Sequence, residues 1–231
     1  MKFILFRHGH SLANQESRIV SSLEHGTKTT GGPLGTGFGL SDKGKQEVRM
    51  SATSLAYHIK SYSTSTKKQT QIRILASPFK RTLETANLIH DTLQTSFNIG
   101  QIPLPEQALD LRERFFGQFE LQTPSDDLYT TVWNQDAVNP FHEKFGVESV
   151  AMVTQRTTRV VRSEEQKDEE AKEDMEETFV ILVSHGDALQ ILQTAMRGWS
   201  GDRHRQLEHL NTASWRELEW CPELAEAHRR K

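Results

Sequence analysis

Cysteine is almost absent: Cys221 stands alone among 231 residues. A single thiol excludes an internal disulfide and a cysteine-built zinc site. Nor is there any excess of basic residues. Lys and Arg number 28 against 31 acidic residues, a formal net charge of -3. That excludes a broadly basic nucleic-acid binder while leaving room for a local basic pocket. No apolar run approaches the roughly 18 residues of a membrane span. The opening Met1–Phe6 is too short for a secretory leader and passes straight into Arg7 and His8. No internal repeat is visible. Apolar residues make up 35% and charged residues 26%, which predicts a polar surface. The expectation is one cytoplasmic domain over residues 1–231, in a reducing compartment, with no membrane contact and no nucleic-acid partner.

Short apolar runs at Phe3–Phe6, Ile72–Ala76 and Phe179–Val183 predict buried strands. A weaker alternation predicts another over Ala213–Trp220. Helical spacing lies between them. Ser41 predicts an N-cap for a helix carrying Val48, Ala52, Leu55 and Ile59. Ser77-Pro78 predicts a cap and first-turn proline for a helix carrying Leu83, Ala86, Ile89 and Leu93. Gly186 opens a further helix that Gly198 stops. Strands alternating with helices predict an α/β domain: three layers, αβα, around a mostly parallel central sheet.

Three stretches break this alternation. Residues 26–39 are rich in Gly and Thr and predict a long loop. Gly35-Thr36-Gly37-Phe38-Gly39 has the look of a nucleotide-binding turn but follows no predicted strand. Residues 120–145 show no clean period and predict an irregular lid, taken as an insertion over about 118–150. Residues 163–177 hold nine acidic and two basic residues, a net of -7, and predict a solvated surface segment. The rest of the chain is then near +4, a slight preference for an anionic ligand.

The chemistry gathers at strand ends. The first strand runs into Arg7-His8-Gly9-His10-Ser11, with Asn14 close behind. The strongest strand runs into Ser184-His185-Gly186, and the middle one into Ser77-Pro78, with Arg81 a turn later. Ligands of α/β sheets bind beyond the carboxyl ends of the strands. Two histidines and two arginines are thus expected at one sheet edge. Glycine after each histidine would let backbone N–H groups approach a ligand. Arginine forks bind phosphate oxygens in pairs, and a neutral imidazole can attack phosphorus. A pocket for a tetrahedral oxyanion is the reading. A metal pair at His8 and His10, resembling that of barrel hydrolases, is the rival. The chain is short for such a barrel, and Arg7 would oppose a cation.

These segments resemble the histidine phosphatase superfamily, in its phosphoglycerate mutase-like branch. Arg7-His8-Gly9 matches the signature, with Ser11 and Asn14 following. Leu40–Gly44, Ser77–Thr82 with Thr85-Ala86, Leu111–Gly117 and Ser184–Gly186 match further family segments in order. The resemblance implies that His8 is a nucleophile that becomes phosphohistidine. It implies that Arg7, Arg81 and His185 hold the phosphoryl group, with Asn14 and the Gly186 backbone assisting. Glu113 would protonate the leaving oxygen and then activate water. No cofactor and no metal are implied. Glu120 is a rival carboxylate, read as structural.

Two positions depart from the family pattern. His10 stands where an acidic or amide residue is usual, and Leu121 where glycine is frequent. His25, His58, His90, His142, His204, His209 and His228 match no motif and read as surface or packed side chains. Asn211 and Thr212 are expected near the site. The expected activity is hydrolysis of a phosphomonoester, on a small molecule or a phosphoprotein. The alternatives are a phosphoglycerate mutase or a non-catalytic phosphate-binding module. The acidic segment after Gly117 argues against the mutase, whose doubly anionic substrate calls for a basic cover.

Overall fold

The computed structural model describes residues 1–96, 102–123, 125–171 and 176–220. Cys221, His228 and the middle of the acidic segment, 172–175, lie outside these. Five strands form one sheet: β1 Lys2–Arg7, β2 Gln69–Ala76, β3 Glu106–Gln107, β4 Glu176–Ser184 and β5 Trp215–Leu218. Their spatial order is β3-β2-β4-β1-β5, and only β5 runs antiparallel. The two-residue β3 carries too little pattern to be read from sequence.

Among the described residues, seven α-helices accompany the sheet. Two are single turns, α1 Leu12–Gln15 and α2 Leu23–Gly26; the others are α3 Asp42–Thr66, α4 Lys80–Asp91, α5 Asp126–Val138, α6 Val150–Ala171 and α7 Gly186–Met196. Alternation along the strands sends side chains to two cores. Ile4 and Phe6 of β1, Ile72 and Ile74 of β2, and Ile181 and Val183 of β4 pack with Val48, Leu55 and Ile59 of α3 and Ile89 of α4. Phe3, Leu5, Leu75, Val180 and Leu182 face the other way, onto Val161 of α6 and Leu189, Leu192 and Met196 of α7. The result is the expected three-layer αβα arrangement. Among the described residues, no helix is long and apolar enough to cross a membrane.

Ser41 caps α3 as its sequence predicts, accepting from the Gly44 N–H at 3.1 Å. Such a cap contributes about 1 kcal/mol. Ser77 does not cap α4. That helix starts at Lys80, after Phe79, whose side chain makes no cap. Residues 118–150 are also more regular than expected, because α5 occupies 126–138. Its inward face carries Leu128, Tyr129 and Val132, packed with Phe116, but the next turn of that face is the buried Asp136, which breaks the apolar period. The described residues of the acidic segment are the last turns of α6 and the start of β4, and are not all surface. Glu164 is buried in an ion pair with Arg73 (2.9 Å), and Glu177 pairs with the Met1 amine (2.8 Å).

Candidate active site

The parallel register places Arg7 of β1 beside Ser184 of β4. The next residues stay locked together: the His8 N–H donates to the Ser184 carbonyl, and the Ala213 N–H to the His8 carbonyl, both at 3.0 Å. Ser77 N–H donates to the Val183 carbonyl at 3.0 Å. Three strand ends therefore bring His8, His185 and Ser77 to one edge, and the first turn of α4 adds Arg81.

The His8 ring is buried. Its Nδ1 lies 2.7 Å from the Gly9 carbonyl, and its Nε2 receives the Arg81 Nε–H at 3.1 Å. A carbonyl only accepts and a guanidinium only donates, so the proton sits on Nδ1 and the lone pair on Nε2. Burial, then Arg81 and Arg7, push the His8 pKa well below the ordinary histidine value. The ring is neutral at physiological pH.

Arg81 also donates Nη2 to the Val20 carbonyl (2.8 Å), and burial lowers its pKa to about 10. Arg7 holds the Leu210 carbonyl (2.8 Å) and His209 Nε2 (2.6 Å). His209, read as surface or packed, thus sits against a site arginine. Burial and the Arg7 charge lower its pKa to about 4, so it accepts from Arg7 as a neutral ring. His185 stands edge-on to His8, ring centroids 5.1 Å apart, and its Nε2 meets the Ser77 hydroxyl at 2.7 Å. The hydroxyl expected to start α4 is thus engaged by a histidine 108 residues away and accepts from the Phe79 N–H at 3.4 Å, short of the helix itself. Arg7 Nε, Arg81 Nη1 and His185 Nδ1 are buried without a hydrogen-bond partner among the described residues.

Glu113 reaches the same cleft from the segment before α5. Its Oε1 accepts the Arg114 N–H (2.9 Å) and the Ala188 N–H in the first turn of α7 (3.1 Å). Burial, then the Asp187 carboxylate, raise its pKa, against the pull of Arg81. Arg7, His8, Asn14, Arg81 and Glu113 all line a cleft of about 80 Å³, walled outward by Arg18, Ile19, Phe116 and Tyr129. Asn14 spends its Oδ1 on the Ser11 N–H and hydroxyl (3.0 and 2.8 Å), which leaves its amide N–H groups for a ligand. A Cβ on Gly186 would lie 3.1 Å from the Arg7 guanidinium carbon, so glycine permits the arginine's approach. Gly9 differs from expectation. Its N–H goes to Thr85 Oγ1 (3.2 Å), and a Cβ would meet Val48 at 2.6 Å, so it is there for packing on α3.

Glu120 turns away from the cleft. Its carboxylate accepts from the backbone and hydroxyls of Ser21 and Ser22 and lies 3.0 Å from His25 Nδ1. Burial works against its ionisation, but these hydrogen bonds hold its pKa below the usual value. It is a strap on the 21–25 segment, and neither Glu120 nor Asp127 lines the cleft. Leu121 keeps a left-handed backbone, φ 60, where glycine would be at ease, and packs beside Leu12, Val20 and Phe38. His10 turns its Nδ1 to the Ser41 hydroxyl (2.9 Å), away from the partners of His8. Among the described residues, no group of three or more His, Cys, Asp or Glu is placed to hold a metal ion. Asn211 and Thr212 form the turn into β5 and do not line the cleft.

Behind Glu113 lies a buried ionic cluster that no motif announces. Arg114 makes a two-pronged pair with Asp136 (2.7 and 2.8 Å) and reaches Asp187 at 3.1 Å. His142 Nε2 lies 2.7 Å from Asp136. Burial opposes the Arg114 charge, yet Asp136 and Asp187 raise its pKa above the ordinary arginine value.

A family model described as the histidine phosphatase superfamily (branch 1) matches residues 3–230. Solved structures resemble the fold. A mycobacterial glucosyl-3-phosphoglycerate phosphatase in complex with VO3 has a TM-score of 0.67 at 20% identity, over 94% of this chain and 92% of its own. Mycobacterial hydrolase 1 has a TM-score of 0.66 at 20% identity, over 96% and 91%. A putative alpha-ribazole-5'-P phosphatase from Escherichia coli has a TM-score of 0.61 at 18% identity, over 95% and 90%. No curated protein matches.

Proposed function

This chain belongs to the histidine phosphatase superfamily, branch 1, and from that membership we propose that it hydrolyses phosphomonoesters through a phosphohistidine on His8. The observation that carries the reading is the His8 tautomer: a neutral ring with its Nε2 lone pair at a cleft flanked by two arginines. Nε2 attacks phosphorus, and the bond from phosphorus to the ester oxygen breaks. Glu113 gives that oxygen its proton. Because Glu113 Oε1 already accepts two backbone N–H groups, the proton resides on Oε2. Arg7, Arg81 and His185 offer donors to the three equatorial oxygens, with Asn14 and the Gly186 backbone assisting. In the second half, ionised Glu113 takes a proton from water. The oxygen of that water attacks phosphorus, the N–P bond breaks, and inorganic phosphate leaves.

A brief pulse of labelled phosphomonoester tests this. The expected product is an acid-labile, alkali-stable phosphoenzyme, absent in His8→Ala. Turnover by His8→Ala above about a tenth of the wild-type rate overturns the reading, since covalent catalysis should dominate. Interconversion of 2- and 3-phosphoglycerate faster than phosphate release would replace it with the mutase.

A further inference from the structure

Arg156 of α6 is 3% exposed, yet it lies outside the cleft and matches no motif. It shares the buried stripe of Val153, Thr157 and Val161, where an arginine is out of place by polarity. All five of its N–H donors have partners. Nη1 serves the carbonyls of Asp110 (2.6 Å) and Arg112 (2.8 Å), and Nη2 serves the carbonyl of Glu113 (3.2 Å). Nε and Nη2 hold both oxygens of Glu148 at 2.8 and 2.9 Å. The remaining carbonyl of this stretch, Leu111, accepts from the Ser184 hydroxyl at 2.6 Å. Four consecutive carbonyls, 110 to 113, are thus held by two side chains from α6 and β4. A 3-10 turn over Leu109–Leu111 ends with the Arg112 N–H donating to the Leu109 carbonyl (3.0 Å), and among the described residues no helix or strand element extends past it to Glu113.

We propose that Arg156, with Ser184 in support, is a positioning residue for Glu113: it fixes the backbone so that the carboxyl meets the leaving-group oxygen. This rests on the reading of Glu113 as the general acid. A carboxyl on a free loop would reach the leaving oxygen only part of the time, and such positioning is a large share of catalysis. Glu113 Oε1 is already tied to Arg114 and Ala188. Fixing the backbone as well leaves Oε2 one direction.

Leaving-group dependence tests the proposal, because a merely structural arginine would not move it. Lysine has three donors and no fork, so Arg156→Lys keeps the charge and loses the multiple hold. We expect Arg156→Lys to lower kcat/KM, which reports only the steps up to the phosphoenzyme, at least about tenfold on glycerol 2-phosphate and to leave it within about twofold on p-nitrophenyl phosphate, because nitrophenolate departs without a proton. In a Glu113→Gln background, Arg156→Lys should add nothing on glycerol 2-phosphate. Rates are taken per active site, counted from the p-nitrophenol burst or the phosphoenzyme yield. Parallel loss on both substrates overturns the proposal, as does full additivity with Glu113→Gln. If Arg156→Lys does not fold, Ser184→Ala carries the test, and it must show the same selectivity in smaller degree or the proposal falls. If Glu113→Gln itself shows no selectivity, the acid assignment is what fails, and the role of Arg156 falls with it.

Discussion

Arg81 donates its Nε–H to the lone pair of His8 Nε2 at 3.1 Å, so the proposed nucleophile and the proposed phosphate clamp occupy one another. A phosphoryl group entering the cleft must draw Arg81 off the ring before attack. Arg81→Lys cannot both release the imidazole and grip two oxygens. The expected outcome is a drop in kcat/KM of similar size for every phosphomonoester, read by comparing at least three leaving groups. A loss confined to one ester would mean that Arg81 reads the leaving group.

The two carboxylates should separate cleanly. Glu113→Gln should lower kcat/KM for an alkyl phosphate by about 10²–10⁴-fold and spare kcat/KM for p-nitrophenyl phosphate. Glu120→Gln should show no leaving-group preference, because its oxygens are spent on Ser21 and Ser22. Its effect belongs in the thermal midpoint.

The pH profile follows from the directions of two shifts. His8 must be neutral to attack, and its pKa is depressed by burial, Arg81 and Arg7. The acid limb of kcat/KM set by His8 should therefore lie well below that of an ordinary histidine. Glu113 must be protonated, and its pKa is raised by burial and Asp187. Activity on an alkyl phosphate should fall as pH rises through that value. The fall should vanish with p-nitrophenyl phosphate and in Glu113→Gln, which steady-state profiles of both will check.

Chelation is the next measurement. Arg7 and Arg81 bring positive charge to the cleft. Activity should survive EDTA, and vanadate should inhibit as a mimic of the five-coordinate state. Activity lost to EDTA and restored by a divalent ion would revive the rival pairing of His8 with His10.

Stability should hinge on the cluster behind the acid. Asp136→Ala leaves the buried Arg114 short of its two-pronged partner and should cost about 3–5 kcal/mol. The exposed Asp127→Ala should stay within about 0.5 kcal/mol. Urea midpoints of the two variants give the comparison.

The strand-end residues His8, Arg7 and His185 were legible because each lies next to its own apolar run, so local sequence alone puts them at the sheet edge. Other features depend on distant partners and were not. Ser77-Pro78 has the local chemistry of a helix start, and only the fold shows that His185 engages the hydroxyl. His209 meets Arg7 across 202 residues. Helix α5 escaped because its inward face carries Asp136, whose partner Arg114 no periodicity reveals. Arg156 left one usable trace, a charge within the apolar spacing of Val153 and Val161.

The strand order has a consequence for how the molecule is made. β1 precedes the other four strands in the chain, yet among the described residues its sheet neighbours are β4 and β5, which span 176–184 and 215–218. Until those residues leave the ribosome, the Phe3–Phe6 segment has two unpaired edges and no sheet to join. β2 likewise waits for β3 and β4. Such edges invite pairing with other chains. A chain stopped before residue 176 can hold His8 and Arg81 but has no His185 to set beside them. Folding of the sheet and assembly of the proposed catalytic edge therefore both wait for β4, and termination before residue 176 should yield aggregate rather than a weak enzyme.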